Sequence, residues 1–366
     1  MKAPSISLAL FVWSVSIAAS TAADSNLYFP PSGKDWKQVS PEAAGFDADK
    51  LEAALDFAGE NKSSGVVVLW QGRILAEKHW PLDRANGASI RYLGGARGKD
   101  AQGRVIEDVA SVQKSVVAAL VGMAQERKRI AIDKPVGAYL GAGWSEASPE
   151  QEERITLRHL LTMTSGLNEQ LKFVAPAGRR WQYNSTAYSR ARDCVAKAAG
   201  KSANEFTREW LTARIGMNDS SWKQRPFAAR DPKQNQLGFA TTARDLARFG
   251  LLVLARGEWD GEAILADKDY FKDMLSPSQE LNPAYGYLWW LNGQKFVLRG
   301  RRRVPGPTIP NAPMDLVAAN GALGRKCWVV PSLNLVVTRL GDQPNDRGFD
   351  NQFWKLMMEA VGKKGI

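Results

Sequence analysis

The sequence predicts an α+β protein in which one antiparallel sheet is built from both ends of the chain and a mainly helical part lies between them. Three observations lead there. Short apolar strands occur near the start, at Gly65 to Trp70, and near the end, at Cys327 to Val330 and Leu335 to Leu340. Between them, from Ser111 to about Met274, apolar residues recur mostly at helical spacing. The last stretch, Phe349 to Val361, is amphipathic and reads as a closing helix.

Taken in order, residues 1–23 read as an export signal: Lys2, an apolar run from Ile6 to Ala19, then small residues with cleavage after Ala22 or Ala23. The remainder, about 24–366, reads as one domain, with sheet parts at about 37–107 and 283–366 and a helical part at about 108–282. Pro41 to Gly59 predicts a helix, with Leu51, Ala54, Leu55 and Phe57-Ala58 marking its apolar side. Gln71-Gly72 is a turn signal that returns the chain as a second strand, Arg73 to Trp80. Residues 81–107, rich in glycine, read as a long loop. Ile132 to Val136 opens a short helix, Ile155 to Leu161 and Thr242 to Ala255 are further helices, and Tyr285 to Leu291 reads as a strand.

Composition narrows the function. With 366 residues and 44% hydrophobic content the chain can bury a sizeable core. The formal charge is +11, with a local cluster at Arg299, Arg301, Arg302 and Arg303. Export and the lack of a nucleic-acid-binding motif turn that charge toward an anionic cell envelope, and the cluster itself reads as a solvated loop. The only cysteines are Cys194 and Cys327, which leaves a disulfide or two free thiols open. With only His79 and His159, neither a zinc site nor a Ser-His-Asp triad is expected. His159, inside a predicted helix, reads as a packed residue.

The chemistry centres on Asp108-Val109-Ala110-Ser111-Val112-Gln113-Lys114. Ser111 stands at or near an N-cap, and Val116, Val117, Leu120, Val121 and Ala124 continue a helix. Ser111 and Lys114 then share one helix face, which brings an amine to a hydroxyl that needs a base. The helix start favours a developing oxyanion. The spacing S-x-x-K alone is weak, because Ser220 to Lys223 repeats it in a loop after Gly216. Two other stretches support Ser111. Tyr183-Asn184-Ser185 offers a phenol able to serve as base or relay, if an ammonium beside it lowers its pKa. Ala319-Asn320-Gly321-Ala322 offers small residues whose backbone N–H groups can approach a ligand, that of Ala322 pairing with that of Ser111.

Together these stretches resemble the serine β-lactamase and penicillin-binding-protein superfamily, in its class C-like esterase and amidase branch, and are similar to the 6-aminohexanoate-dimer hydrolases. Ser40 to Phe46, His159 to Leu167, Thr242 to Gly250 and Gly286 to Trp290 carry the resemblance over nearly the whole mature chain. It implies a β-lactamase/transpeptidase-like fold, with Ser111 as the acylated nucleophile, Lys114 as its proton partner and Tyr183 as the third catalytic group. Ser185, Asn320, Gly321, Ala322 and Trp289 are the oxyanion and substrate-binding candidates. No metal or cofactor is implied.

One departure matters. Where relatives carry Lys-Thr-Gly or His-x-Gly, this chain has Ala319-Asn320-Gly321, without charge. The expectation is therefore a periplasmic or secreted hydrolase of small ester or amide substrates, without a stable membrane anchor or a nucleic-acid partner. It should prefer neutral esters or amides to carboxylate-bearing β-lactams, with Tyr287, Trp289 and Trp290 lining the acyl pocket unless Arg299 or Arg301 supplies the missing cation. A β-lactamase or D,D-peptidase is the alternative, and an inactive binding protein is disfavoured by the joint presence of Ser111, Lys114 and Tyr183.

Overall fold

The computed structural model describes residues 27–33, 35–228 and 235–361, so the expected export signal lies outside the described residues. Six strands form the central sheet: β1 (Ser63–Trp70), β2 (Arg73–His79), β3 (Trp290–Leu291), β4 (Val317–Asn320), β5 (Lys326–Val330) and β6 (Leu335–Gly341), in the order β2-β1-β6-β5-β4-β3. Every pairing is antiparallel, and β1 joins β6 along its length, with Val67 opposite Thr338. The two ends of the chain therefore share one sheet.

Strand alternation explains the continuous apolar runs. In β1, Val66 and Val68 face one core while Val67 and Leu69 face another; in β6, Leu335 and Val337 oppose Val336 and Leu340 in the same way. Both faces are covered, so neither set of positions is polar. One face carries α1 (Ala48–Glu60) and the closing helix α4 (Phe349–Ala360). The other carries α2 (Gln113–Glu126) and α3 (Ala243–Leu254). α2 has no polar face: every residue from Gln113 to Ala124 is buried, as befits a helix enclosed on all sides.

Several expected elements change. α1 begins later than the apolar pattern, because Asp47 caps it by accepting from Lys50 N at 3.1 Å. The helix expected from Ile155 begins at Leu157. Residues 81–107 are not one loop: Ile90–Leu93 is helical, and Ala96–Lys99 and Val105–Asp108 pair as strands. These join Leu237–Thr241 and Ser221–Gln224 in a second, four-stranded sheet, and the latter two strands lie inside the part expected to be helical. Such strands are too short for periodicity to mark, and their partners lie far along the chain. Only Trp290–Leu291 of the expected 285–291 strand joins the sheet, since Gly286 N bonds back to Trp289 O, Tyr285 bridges to Trp290 and Leu288 adopts a φ of 59°. Cys194 and Cys327 are buried free thiols. Among the described residues no helix is long and apolar enough to cross a membrane.

Candidate active site

Ser111 does not cap its helix. It lies within a tight turn, Ala110–Val112, that runs directly into α2, and this turn has no side-chain cap. Its hydroxyl is thereby left for Lys114, whose Nζ lies 2.9 Å from Ser111 Oγ and 3.4 Å from Ser185 Oγ. Ala110, just before the serine, holds a φ of 50°, a left-handed backbone that costs an L-residue about 1–2 kcal/mol. The Ala110 N–H is held there by Asp108 Oδ1 at 2.9 Å.

Asp108 is itself fixed by Arg225, which donates through Nε and Nη2 at 2.7 Å each. Burial would raise the Asp108 carboxyl, but the Arg225 hydrogen bond and charge outweigh it and hold it below its ordinary value. Gly238 makes room for this pair, because a Cβ there would meet Asp108 Oδ2 at 2.1 Å.

Lys114 is 2% exposed. Burial brings its amine down to about 7; the Glu169 charge opposes the shift and the Arg225 charge adds to it. The Nζ sits 4.6 Å from the ring centre of Tyr183 and 4.2 Å from that of Tyr188. An amine near neutrality beside a serine can take the hydroxyl proton at physiological pH.

Tyr183 is different. Burial pushes its phenol well above its ordinary range, and the neighbouring Ser111 hydroxyl only partly offsets the effect. Of the two roles left open for it, base or relay, the raised phenol fits the second: it keeps its proton and is a donor or relay. Its ring is enclosed by Trp181, Tyr285 and Trp290, the last stacked at 6.0 Å.

The Tyr183-Asn184-Ser185 triplet is shaped by long-range bonds. Asn184 is buried and donates to Leu167 O and Asn168 O at 2.8 Å, while its Oδ1 accepts from Thr186 N and Ala187 N. Glu169 accepts from Ser185 N at 2.7 Å and from Thr186 N and Oγ1. The 163–169 segment is therefore the mould for the triplet.

The third stretch comes to the serine through β4. Gly321 lies so close to the nucleophile turn that a Cβ would sit 2.4 Å from Val109 O, and only glycine avoids that clash. Ala322 follows, and both Ser111 and Ala322 line a cleft of about 920 Å³. Leu323, next in line, also has a positive φ of 63°. Ser185 lines the cleft as well. Asn320 does not reach it; its Oδ1 is buried, with no hydrogen-bond partner among the described residues.

Two expectations fail here. Trp289 is fully buried and stacks on Phe249 in the core, so it is no binding residue. Its neighbour points the other way, as successive side chains of extended backbone do, and it is Trp290 that meets Tyr183. Tyr287 is buried and hydrogen-bonded by Arg158. The competing Ser220 is tied to Thr241 Oγ1 and Asp245 Oδ2 at 2.7 and 2.8 Å, and Lys223 is exposed. His159 caps its own helix through Thr156, as a packed residue would. Sequence reasoning missed Glu169, Tyr188, Gln113 and Arg225; none lies in a local pattern that marks it.

Known proteins share this arrangement at the level of the chain trace. The family model described as Beta-lactamase matches residues 49–360. A Bacillus anthracis protein assigned as a 6-aminohexanoate-dimer hydrolase superposes with a TM-score of 0.65 at 17% identity, covering 91% of this chain and 88% of that one. A beta-lactamase of Mycobacterium bovis gives 0.59 at 19%, over 84% and 97%. The hydrolase EstCE1, with promiscuous acyltransferase activity, gives 0.60 at 13%, over 86% and 98%. At these identities the likeness is one of fold. No curated protein matches significantly. With the family model spanning most of its length and the fold shared with these structures, the chain belongs to the beta-lactamase family.

Proposed function

We propose that the chain is an exported serine hydrolase that cleaves an ester or amide through an acyl-enzyme on Ser111. One observation carries this reading: a buried amine, near neutral in pKa, 2.9 Å from a serine hydroxyl on the wall of a cleft. Lys114 takes the hydroxyl proton, and Ser111 Oγ attacks the carbonyl carbon. The backbone N–H groups of Ser111 and Ala322 meet the oxyanion. The Tyr183 phenol passes a proton to the leaving group, and water then releases the acid by the reverse route. The 6-aminohexanoate-dimer hydrolase and EstCE1 likenesses agree with amide or ester chemistry. Lys2 and the apolar run to Ala19 support export to the periplasm or medium. Labelling with a fluorophosphonate and mapping the adduct tests the nucleophile; an adduct on Ser220 instead of Ser111 rejects it.

Two outcomes follow from the proton route. The reactive form of Lys114 is the free amine, so kcat/KM should rise with pH through about 7 and level off above it. A profile flat from pH 5.5 to 8.5 removes Lys114 as the base. Tyr183→Phe should lower kcat by about 10²-fold, the low end of what a positioned proton donor supplies, with the circular-dichroism spectrum unchanged. An unaltered kcat removes the phenol from the route.

A further inference from the structure

The uncharged third stretch and the aromatic run suggested a cleft for neutral acyl groups. The cleft itself is basic. Its lining holds Arg91, Arg97, Lys114, Lys172, Arg225 and Arg325 against three acids, Asp108, Glu146 and Glu169. That is two to one, where the whole chain has 49 basic to 38 acidic residues. None of these cations comes from the arginine cluster. Residues 299–303 belong to a separate hairpin, Phe296–Arg299 with Arg302–Pro305, where Arg303 lies over Phe296 and Arg299 donates to Thr308 O.

The cations divide by partner. Arg225 is neutralised by Asp108, and Arg325 by buried Glu107, whose Oε2 accepts from its Nε at 2.9 Å. Glu169 accepts from Ser185 and Thr186, and its negative charge acts on Lys114. Arg91 and Lys172 are exposed, and among the described residues neither has an ion-pair partner. Arg97 spends only Nη1, on Gly94 O and Ala96 O.

These three groups stand on fixed backbone. The Arg91 helix starts at Ser89, whose N–H and hydroxyl are held by Asp342 at 2.6 and 2.9 Å. The Lys172 turn is held by Asn168 Oδ1, which accepts from Gln170 N and Lys172 N. Three cations on the wall of one cleft raise its potential for an anion.

We infer that the substrate carries an anionic oxygen group, carboxylate or phosphate, apart from the bond being cleaved, and that Arg91, Arg97 and Lys172 hold it at the cleft. This rests on the hydrolase reading above and reverses the preference for neutral substrates. It places the selecting cations on the 90–97 and 168–172 segments rather than on the third stretch.

The test compares the mono-p-nitrophenyl ester of adipic acid with its distal methyl ester, which differ only in charge. A phosphonate of equal length separates the two sources of the anion. The wild type should favour the acid or the phosphonate by about 10-fold or more in kcat/KM, the scale of one charge-assisted hydrogen bond. The advantage should shrink in 0.5 M salt, since exposed charges are screened there. In the triple variant Arg91→Ala, Arg97→Ala, Lys172→Ala the ratio should fall toward one. Equal rates for charged and neutral esters in the wild type, or a ratio that survives the triple variant, overturn the inference. If the fluorophosphonate still labels Ser111 in that case, the hydrolase reading stands alone. If neither labelling nor turnover occurs, the hydrolase reading falls and takes this inference with it.

Discussion

Replacing Ser111 with alanine is expected to lower turnover of any ester or amide substrate by about 10⁴-fold or more, the scale seen when a nucleophile that works as a unit with its base is removed. The fold should be untouched. Ser111 is half-buried at a turn, its side chain caps no helix, and the backbone of the turn is held by Asp108 rather than by the hydroxyl. Intact-mass measurement with a slow ester should show an acyl adduct on the wild type and none on the variant. A variant that keeps the adduct, or keeps wild-type turnover, rejects Ser111. The Ser220 turn provides an internal control: Ser220→Ala breaks bonds to Thr241 and Asp245 and should leave acylation in place.

Lys114→Met should cost about 10²–10⁴-fold in the acylation rate, the range a positioned base contributes. Lys114→Arg should be no better, although it keeps a charge, because a guanidinium does not deprotonate in proteins. Stopped-flow acylation measures both, and an arginine variant at the wild-type rate would falsify the base role.

Stability should move the other way. The folded amine titrates near 7 and the unfolded one near its ordinary value of 10.5, so between these limits the unfolded chain binds more protons. Wild-type stability from this group should therefore grow as pH rises from about 7 to about 10. Methionine fills the same buried space without a charge to desolvate, so the variant should lose that slope and keep or raise its Tm near pH 7. A Tm that falls sharply at pH 7 would mean that Lys114 is held as a structural cation.

What local chemistry alone dictates was legible in the chain. Ser111 and Lys114 are one helical turn apart, so any helix starting there must bring them together. Val66 to Leu69 and Leu335 to Val337 are apolar on both faces, which a strand buried between two helical layers requires. Tyr183-Asn184-Ser185 and the small residues at 319–322 could be picked out as candidates, and the α+β architecture with a shared sheet followed from strands at both ends.

The properties that make the site work were decided only by the tertiary structure. Whether Lys114 is a base depends on its burial, and that burial is completed by Tyr183 and Tyr188, some seventy residues away. Whether Tyr183 can ionise depends on the same enclosure. Glu169, Arg225 and Asp108 hold the reacting groups through pairings between distant segments, with Arg225 and Asp108 separated by 117 positions. Trp289 and Trp290 are neighbours in sequence with opposite fates, one core and one beside Tyr183, because successive side chains of an extended segment point to opposite faces and the fold decides what each face meets. The sign of the cleft was likewise hidden: it is set by Arg91, Arg97 and Lys172, which no motif joins. Spacing along a chain reports contacts within a turn or two of helix or strand. Desolvation and net field are sums over everything that folding brings near, and those sums exist only once the fold has closed.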